Sequence, residues 1–319
     1  MKKQTLLKHS ALILLAAALL ATPGCLLMAA INSGAAFLKI GTGARPSAMG
    51  GAYTAIASDV DAMYYNPGGL ANLTRRELGA THAEWLLDTR FDFLGYAHPT
   101  QFGTFGLGVT RLAAGNQDGR DANRQATGSF EASDAAYTAS FSRAVTPGGI
   151  LASGRTSLGV NLKYLQSRIG AYSAETVAFD LGAQHQLSGT PLSLGMSVLN
   201  IGKGMQFLQQ VDPLPLTVSA GAAYRFGGTL NIVLDVRHEV YDKRTDVGVG
   251  TEYALLPSFA LRAGYASQFS GTSGSGTLAS LGGLGAGFGI NMRNYRADYT
   301  FTPFGDLGNV QRISLGARF

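Results

Sequence analysis

From Glu77 to the C-terminus, apolar and polar residues alternate with a period of two. Val177, Phe179, Leu181 and Ala183 alternate with Ala178, Asp180, Gly182 and Gln184. Leu230, Ile232, Leu234 and Val236 alternate in the same way with Asn231, Val233, Asp235 and Arg237. Successive strand residues point to opposite faces, so each run has one apolar face and one face able to carry charge. The pattern predicts strands near 77–85, 89–98, 103–112, 134–145, 155–167, 174–187 and 191–200, and near 215–226, 229–240, 245–254, 258–267, 280–290, 295–302 and 310–319. That is about fourteen strands, an even number, most of them reaching the roughly 9–11 residues a tilted strand needs to cross a bilayer.

The spacing of the connections separates a membrane barrel from a soluble β-protein. Ala113 to Ser133, Ile201 to Leu214 and Gln268 to Ala279 are long, and all follow odd-numbered strands. Connections after even strands are mostly tight, as at Phe226-Gly227-Gly228 and Leu255-Leu256-Pro257. Long loops on one side and short turns on the other are the asymmetry of outer-membrane barrels, whereas a sandwich or propeller has no reason to keep it. In the last strand Ile313, Leu315, Ala317 and Phe319 share one face, and Arg312, Ser314, Gly316 and Arg318 the other. A charged group facing lipid at mid-depth costs about 2–4 kcal/mol. Lys163, Asp180, Arg225, Asp235, Arg237, Glu252, Arg262, Arg296 and Asp298 are therefore expected to line a polar interior. Tyr96, Phe141, Tyr164, Tyr224, Tyr253, Tyr265 and Tyr299 are expected as aromatic girdles. The expected fold is an all-β transmembrane outer-membrane antiparallel barrel of about 14 strands, running over residues 76–319.

Composition agrees. The 43 glycines in 319 residues are nearly twice the usual share and argue against a helical fold. Mean hydropathy is +0.11, and only the N-terminus approaches the run of about 20 apolar residues that a membrane helix needs. Lys2, Lys3 and Lys8, the apolar run Ala11 to Ala21 and the break Thr22-Pro23-Gly24 read as a secretory signal peptide within residues 1–30. Cys25 follows Gly24, but Thr22 and Pro23 depart from a lipoprotein cleavage pattern, and one cysteine leaves no disulfide within the chain. Without the three leader lysines, 22 basic residues face 20 acidic ones with no basic run, so a nucleic-acid partner is set aside.

Between leader and strands lies one irregular, Gly- and Ala-rich stretch, Phe37 to Asn72, within a segment of residues 31–75. It is expected to fold inside the barrel as a hatch. Its small residues Ala44, Ser47, Ala48, Gly50, Gly51 and Ala52 permit close backbone packing, while Arg45, Asp59 and Asp61 are placed to meet inward wall charges. Ser58 or Asp59 is read as a cap for a short turn through Asp61-Ala62-Met63-Tyr64, and Pro67 pushes Asn66 out of helical geometry. Catalytic equipment is not legible. The histidines are scattered, there is no metal-ligand spacing, nucleophile elbow or phosphate loop, and His238 and Glu239 face opposite ways. Asp235 and Arg237 share a face and read as salt-bridge partners. No enzyme, cofactor or metal is expected.

The blocks Phe37-Leu38-Lys39-Ile40-Gly41-Thr42-Gly43-Ala44-Arg45, Ala48-Met49-Gly50-Gly51-Ala52-Tyr53, Asp59-Val60-Asp61-Ala62 and Tyr65-Asn66-Pro67 resemble the start of the PorV/PorQ family, itself similar to the FadL fatty-acid transporters. Asn200 to Phe207 leading to Asp212-Pro213-Leu214-Pro215, and Asp298 to Asn309, resemble later stretches of it. Gly68 departs from the FadL-type motif, which has Ala after Asn-Pro. The resemblance implies a fourteen-stranded barrel in the lipid of a Gram-negative-type outer membrane with an internal hatch, whose gating residues would be Arg45, Met49, Gly50, Gly51, Asp59, Asp61, Asn66 and Pro67. It also implies one of two roles. The first is a component of type IX secretion that engages secreted cargo proteins and other secretion components, with Met205, Phe207 and Leu208 as loop contacts. The alternative is FadL-like passive transport of long-chain fatty acids or other hydrophobic small molecules, for which the same loop residues would serve as a gate.

Overall fold

The computed structural model describes residues 32–319 apart from residue 122 and residues 147–152, 268–281 and 305–306. The expected signal peptide, Cys25 and the Gln268 to Ala279 connection lie outside the described residues. The strands are β1 (Glu77–Glu84), β2 (Thr89–Thr100), β3 (Gly103–Arg120), β4 (Ala126–Val145), β5 (Gly154–Ile169), β6 (Tyr172–Leu187), β7 (Leu192–Gly202), β8 (Met205–Phe207), β9 (Gln210–Asp212), β10 (Thr217–Phe226), β11 (Leu230–Glu239), β12 (Arg244–Leu256), β13 (Phe259–Ala266), β14 (Leu284–Met292), β15 (Tyr295–Pro303) and β16 (Asn309–Arg318). Fourteen of them close into one barrel with sequential antiparallel neighbours, sealed by β1 against β16; β8 and β9 form a separate two-stranded hairpin. Closure leaves no edge in the barrel itself, which a bilayer demands.

The distribution of residues is the inverse of a soluble protein's. Exposed side chains include Leu107, Leu162, Phe179, Leu181, Met196, Ile313 and Leu315, while Lys163, Asp180, Asp235, Glu252, Arg262 and Asp298 are buried. Charges thus face inward and hydrocarbon outward, as the alternation requires. The chain forms a closed antiparallel barrel of the outer-membrane type.

Residues 32–76 occupy the interior. They form short helical turns at Ala36–Lys39, Ala44–Ala48, Ala62–Tyr65 and Pro67–Asn72, joined by irregular chain. Met49, Tyr53, Val60, Met63, Tyr65 and Leu70 from this segment share a buried cluster with Phe93, Ala223 and Val233 of the wall. Phe37 and Leu38 pack with Leu165, Met205 and Leu214.

The glycines explain how a segment this thick fits. Gly250 of β12, Gly264 of β13 and Gly285 of β14 pair in register, forming a row across three strands. A methyl on Gly264 would run into the Met49 carbonyl carbon, one on Gly250 into Met49, and one on Gly285 into the Ser47 carbonyl oxygen. Across the barrel, Gly159 and Gly182 are register partners in β5 and β6 and meet Pro67 in the same manner. The wall has no side chains where the segment's backbone lies against it.

Two expectations need correction. The long connection Ala113 to Ser133 is largely strand: β3 and β4 continue as a ribbon past the last residues paired to β2 and β5 and turn at Asp121 to Gln125. Both ribbon faces are solvated there, so the apolar alternation that marks a strand is lost. The Ile201 to Leu214 connection contains the β8–β9 hairpin.

Candidate functional site

Arg45, on the helical turn Ala44–Ala48, projects toward the side of the barrel with the short turns. Its Nε and Nη2 donate to the two carboxylate oxygens of Glu252 on β12 at 2.7 and 2.8 Å, and its Nη1 donates to the Tyr53 hydroxyl at 2.7 Å. Tyr53 in turn donates to Asp59 Oδ2 at 2.7 Å, which Arg296 Nη1 of β15 also reaches at 2.8 Å. Arg262 bridges Glu252 and Asp298 at 2.7 Å each, Arg296 contacts Asp298 at 2.9 Å, and Arg318 pairs with Glu77 at 2.6 Å. Four arginines and four carboxylates thus tie the N-terminal segment to β1, β12, β13, β15 and β16. Removing charges from water is costly unless each is paired, and here every one has an opposite charge within 4 Å, although Arg296 Nε and Asp298 Oδ2 meet without hydrogen-bond geometry.

Asp59 and Asp61 are close in sequence but differ in state. Burial raises the Asp59 carboxyl, but Arg296 and Arg45 outweigh it and hold it below the ordinary range. For Asp61, burial and then the Asp59 charge push the carboxyl up to about 8, and its buried Oδ1 has no hydrogen-bond partner among the described residues. Asp59 Oδ1 accepts from the Asp61 amide at 3.2 Å, a local turn ahead of Ala62–Tyr65 rather than the expected cap, since that helical turn begins at Asp61 without a side-chain cap bond; the other Asp59 oxygen is the centre of the ion-pair lattice.

Met49 is fully buried against the glycine row. Gly50 and Gly51 turn the chain with φ of 65° and 73°, the left-handed region that favours glycine, and a side chain on Gly50 would strike the Tyr265 backbone. Asn66 is extended, with φ −162°, as Pro67 requires. Its amide donates to the carbonyls of Thr54 and Ala183 at 2.8 Å each, and its Oδ1 accepts from Gly68 N at 3.1 Å. Three oxygens, from Asn66, Ser157 and Gly182, would lie 3.1 Å from a methyl on Gly68, leaving only tight room for the alanine of the FadL-type motif. Asp235 is not the partner of Arg237. Its Oδ2 accepts from the Tyr53 and Thr54 amides at 2.8 Å each, because it reaches the backbone of the inner segment first.

On the opposite side, toward the long connections, lies a cavity of about 240 Å³. Ile40, Tyr65, Trp85, Phe304 and Val310 give it apolar surface, and Gly50 and Gly51 form part of its floor. Lys39, Arg237, Arg244 and Arg312 and the carboxylates of Asp235, Glu239 and Asp246 also line it, and two of these cations have no carboxylate partner among the described residues. Arg237 has no carboxylate within 4 Å among the described residues; Arg312 donates to Ser47 Oγ and lies over the rings of Trp85 and Phe91 at 5.6 and 5.8 Å, with its buried Nε unpartnered. The other cations at this rim are paired: Lys39 with Glu239 and Asp242, and Arg244 with Asp246. Trp85 and Arg312 went unsingled in the sequence reading, although Arg312 stood on the inward face of the last strand.

The structure therefore gathers Arg45, Asp59 and Asp61 on one side of the segment, and Asn66 and Pro67 against β5 and β6. Gly50 and Gly51 lie at the cavity. The loop residues stand apart. Met205 is buried, Phe207 half-buried, and Leu208 is 74% exposed at the hairpin tip with φ 54°.

Residues 32–202 match the model described as Uncharacterised protein family (UPF0164). The chain belongs to that family. No curated protein matches it. Among solved structures, the Ralstonia pickettii toluene transporter TbuX superposes with a TM-score of 0.61 at 14% identity, covering 88% of this chain and 98% of that one. The Pseudomonas putida toluene transporter TodX gives 0.59 at 12%, covering 88% and 99%, and the monoaromatic hydrocarbon channel CymD 0.58 at 13%, covering 88% and 98%. At such identities the likeness is one of fold. These three are named as channels and transporters, not enzymes.

Proposed function

We propose that this UPF0164 member sits in the outer membrane as a passive channel for hydrophobic small molecules, with residues 31–75 as its hatch. The observation that carries the reading is the cavity of about 240 Å³ on the hatch. Most of its surface is apolar, as is usual for a small-molecule site; of the seven charged side chains that line it, Lys39 is paired with Glu239, Arg244 with Asp246, and Asp235 with two backbone amides, which leaves Arg237 and Arg312 to offer guanidinium forks to an anionic end. A molecule with an apolar body and a carboxylate, such as a fatty acid, satisfies both parts. The hatch residues Arg45, Met49, Gly50, Gly51, Asp59, Asp61, Asn66 and Pro67 then hold the closed state, and passage requires part of the hatch to leave the wall. The fold shared with toluene and monoaromatic hydrocarbon channels supports this role.

Trp85 is the sole tryptophan of the chain and lines the cavity, so its fluorescence reports occupancy. Titrating the purified barrel with dodecanoate should give a saturable change. The change should be weakened by Arg237→Ala and Arg312→Ala, whereas the response to toluene should be little altered. Absence of any response to either compound would remove the support. The secretion role implied by the PorV/PorQ resemblance draws less from the same residues. With Met205 inside the loop packing, only Leu208 of the three loop residues stands free for a cargo protein. Recovery of exported proteins with the purified barrel, together with a silent titration, would restore that reading.

A further inference from the structure

On the short-turn side of the hatch two further cavities open, about 460 and 270 Å³, both lined by Arg45 and Ser58 and so adjoining. Arg45, Arg262, Arg296 and Arg318 are neutralised there by the ion-pair lattice. Four more arginines are not. Arg75 and Arg293 line the larger cavity, Arg155 and Arg225 the smaller, and none of the four has a carboxylate within 4 Å among the described residues. Their hydrogen bonds go to neutral oxygens: Arg75 to Asn294 Oδ1 at 3.1 Å, Arg155 to the Ala71 carbonyl at 2.8 Å and Arg225 to Asn231 Oδ1 at 3.0 Å. No aspartate or glutamate lines the smaller cavity.

These four side chains come from four separate places: the exit of the hatch, the start of β5, the end of β10 and the β14–β15 turn. Nothing in local sequence requires them to converge, and every one is arginine. Like charges gathered at a recess with low-dielectric walls raise the local potential and attract anions. Guanidinium keeps its charge at any physiological pH and binds carboxylates through two parallel hydrogen bonds. Arg155 and Arg225 lie on the inward faces of their strands, away from lipid headgroups. Charges distributed along two joined recesses suit an extended chain of carboxylates better than one compact ion.

We propose that the periplasmic mouth is a docking surface for an acidic peptide segment of a periplasmic protein. The inference needs only that the short turns face the periplasm, and does not depend on what the outer cavity binds. The test uses the full-length barrel in detergent micelles and a fluorescent oligoglutamate peptide. Saturable binding that weakens with added salt is expected. It should fall about tenfold, the equivalent of about 1.4 kcal/mol, in each of the double variants Arg75→Gln/Arg293→Gln and Arg155→Gln/Arg225→Gln. These side chains are exposed and outside the ion-pair lattice, so both variants should keep the heat-modifiable migration of a folded barrel on gels. Binding unchanged in both folded variants overturns the proposal, as does no binding at all. Inorganic phosphate that binds with the same arginine dependence and fully displaces the peptide at equal concentration would make the mouth a site for small anions instead, and would equally overturn it.

Discussion

The arginines of the ion-pair lattice and those that face the cavity are used in opposite ways. Toward the short turns, Arg45, Arg262, Arg296 and Arg318 are each matched to a carboxylate and tie the inner segment to five strands. Toward the long connections, Arg237 and Arg312 face a largely apolar cavity without a carboxylate partner, and one of them rests on aromatic rings. Guanidiniums in the lattice already have their counter-charges. At the cavity, hydrogen-bonding capacity is left over beside hydrocarbon surface, the arrangement that an amphiphilic ligand completes. In the proposed reading the ion-pair lattice is the fastening of the inner segment and the cavity on its other side the receiving surface.

Breaking the fastening should have the largest effect. Asp59→Leu leaves Arg45 and Arg296 buried beside Glu252 and Asp298 with one carboxylate missing, and should cost about 3–5 kcal/mol, read as a lower urea midpoint in micelles. The hatch should loosen before the barrel opens, so single-channel conductance should rise. Gly264→Leu attacks the same contact sterically. It inserts a side chain where Met49 already lies and should cost about 1–3 kcal/mol by overpacking, also with higher conductance. If conductance stays at the wild-type level in both variants, the segment is not the plug.

A smaller effect separates the two aspartates. The folded-state carboxyl of Asp61 is raised from 3.8 to about 8, so below pH 3.8 folded and unfolded chains both hold the proton. As pH rises between these values the unfolded chain releases it while the folded chain keeps it, and stability falls. Asp59 is depressed, so its contribution is present above its ordinary range and lost in acid. Asp61→Asn should therefore flatten the decline in urea midpoint between pH 5 and pH 8, while the loss in strong acid persists. The smallest effect is expected at Leu208→Ser, within about 0.5 kcal/mol for an exposed tip, with fatty-acid uptake unchanged. A clear loss of uptake would make the loop a gate, whatever the hatch does.

The barrel was legible because lipid outside and charge inside impose one alternation on every strand, from Leu230–Asp235 to Ile313–Arg318. Legibility ended where that contrast ends, in the ribbon beyond Ala114, whose faces both meet water. The hatch residues stood out as a block, but their partners did not. Glu252 and Arg296 lie some two hundred residues from Arg45 and Asp59, and only barrel closure decides which arginine meets which acid. Asp235 shows the same limit: its neighbour on the strand face suggested a salt bridge, whereas the inner segment supplied two amides that no sequence separation could reveal.

The central claim is passage of hydrophobic molecules, and labelled uptake tests it most directly. In a host lacking its own hydrocarbon channel, expression of the protein should speed the appearance of labelled dodecanoate inside the outer membrane, and collapsing the proton gradient should not slow it. Uptake at the rate of the empty-vector host, with folded protein present in the outer membrane, would contradict the account.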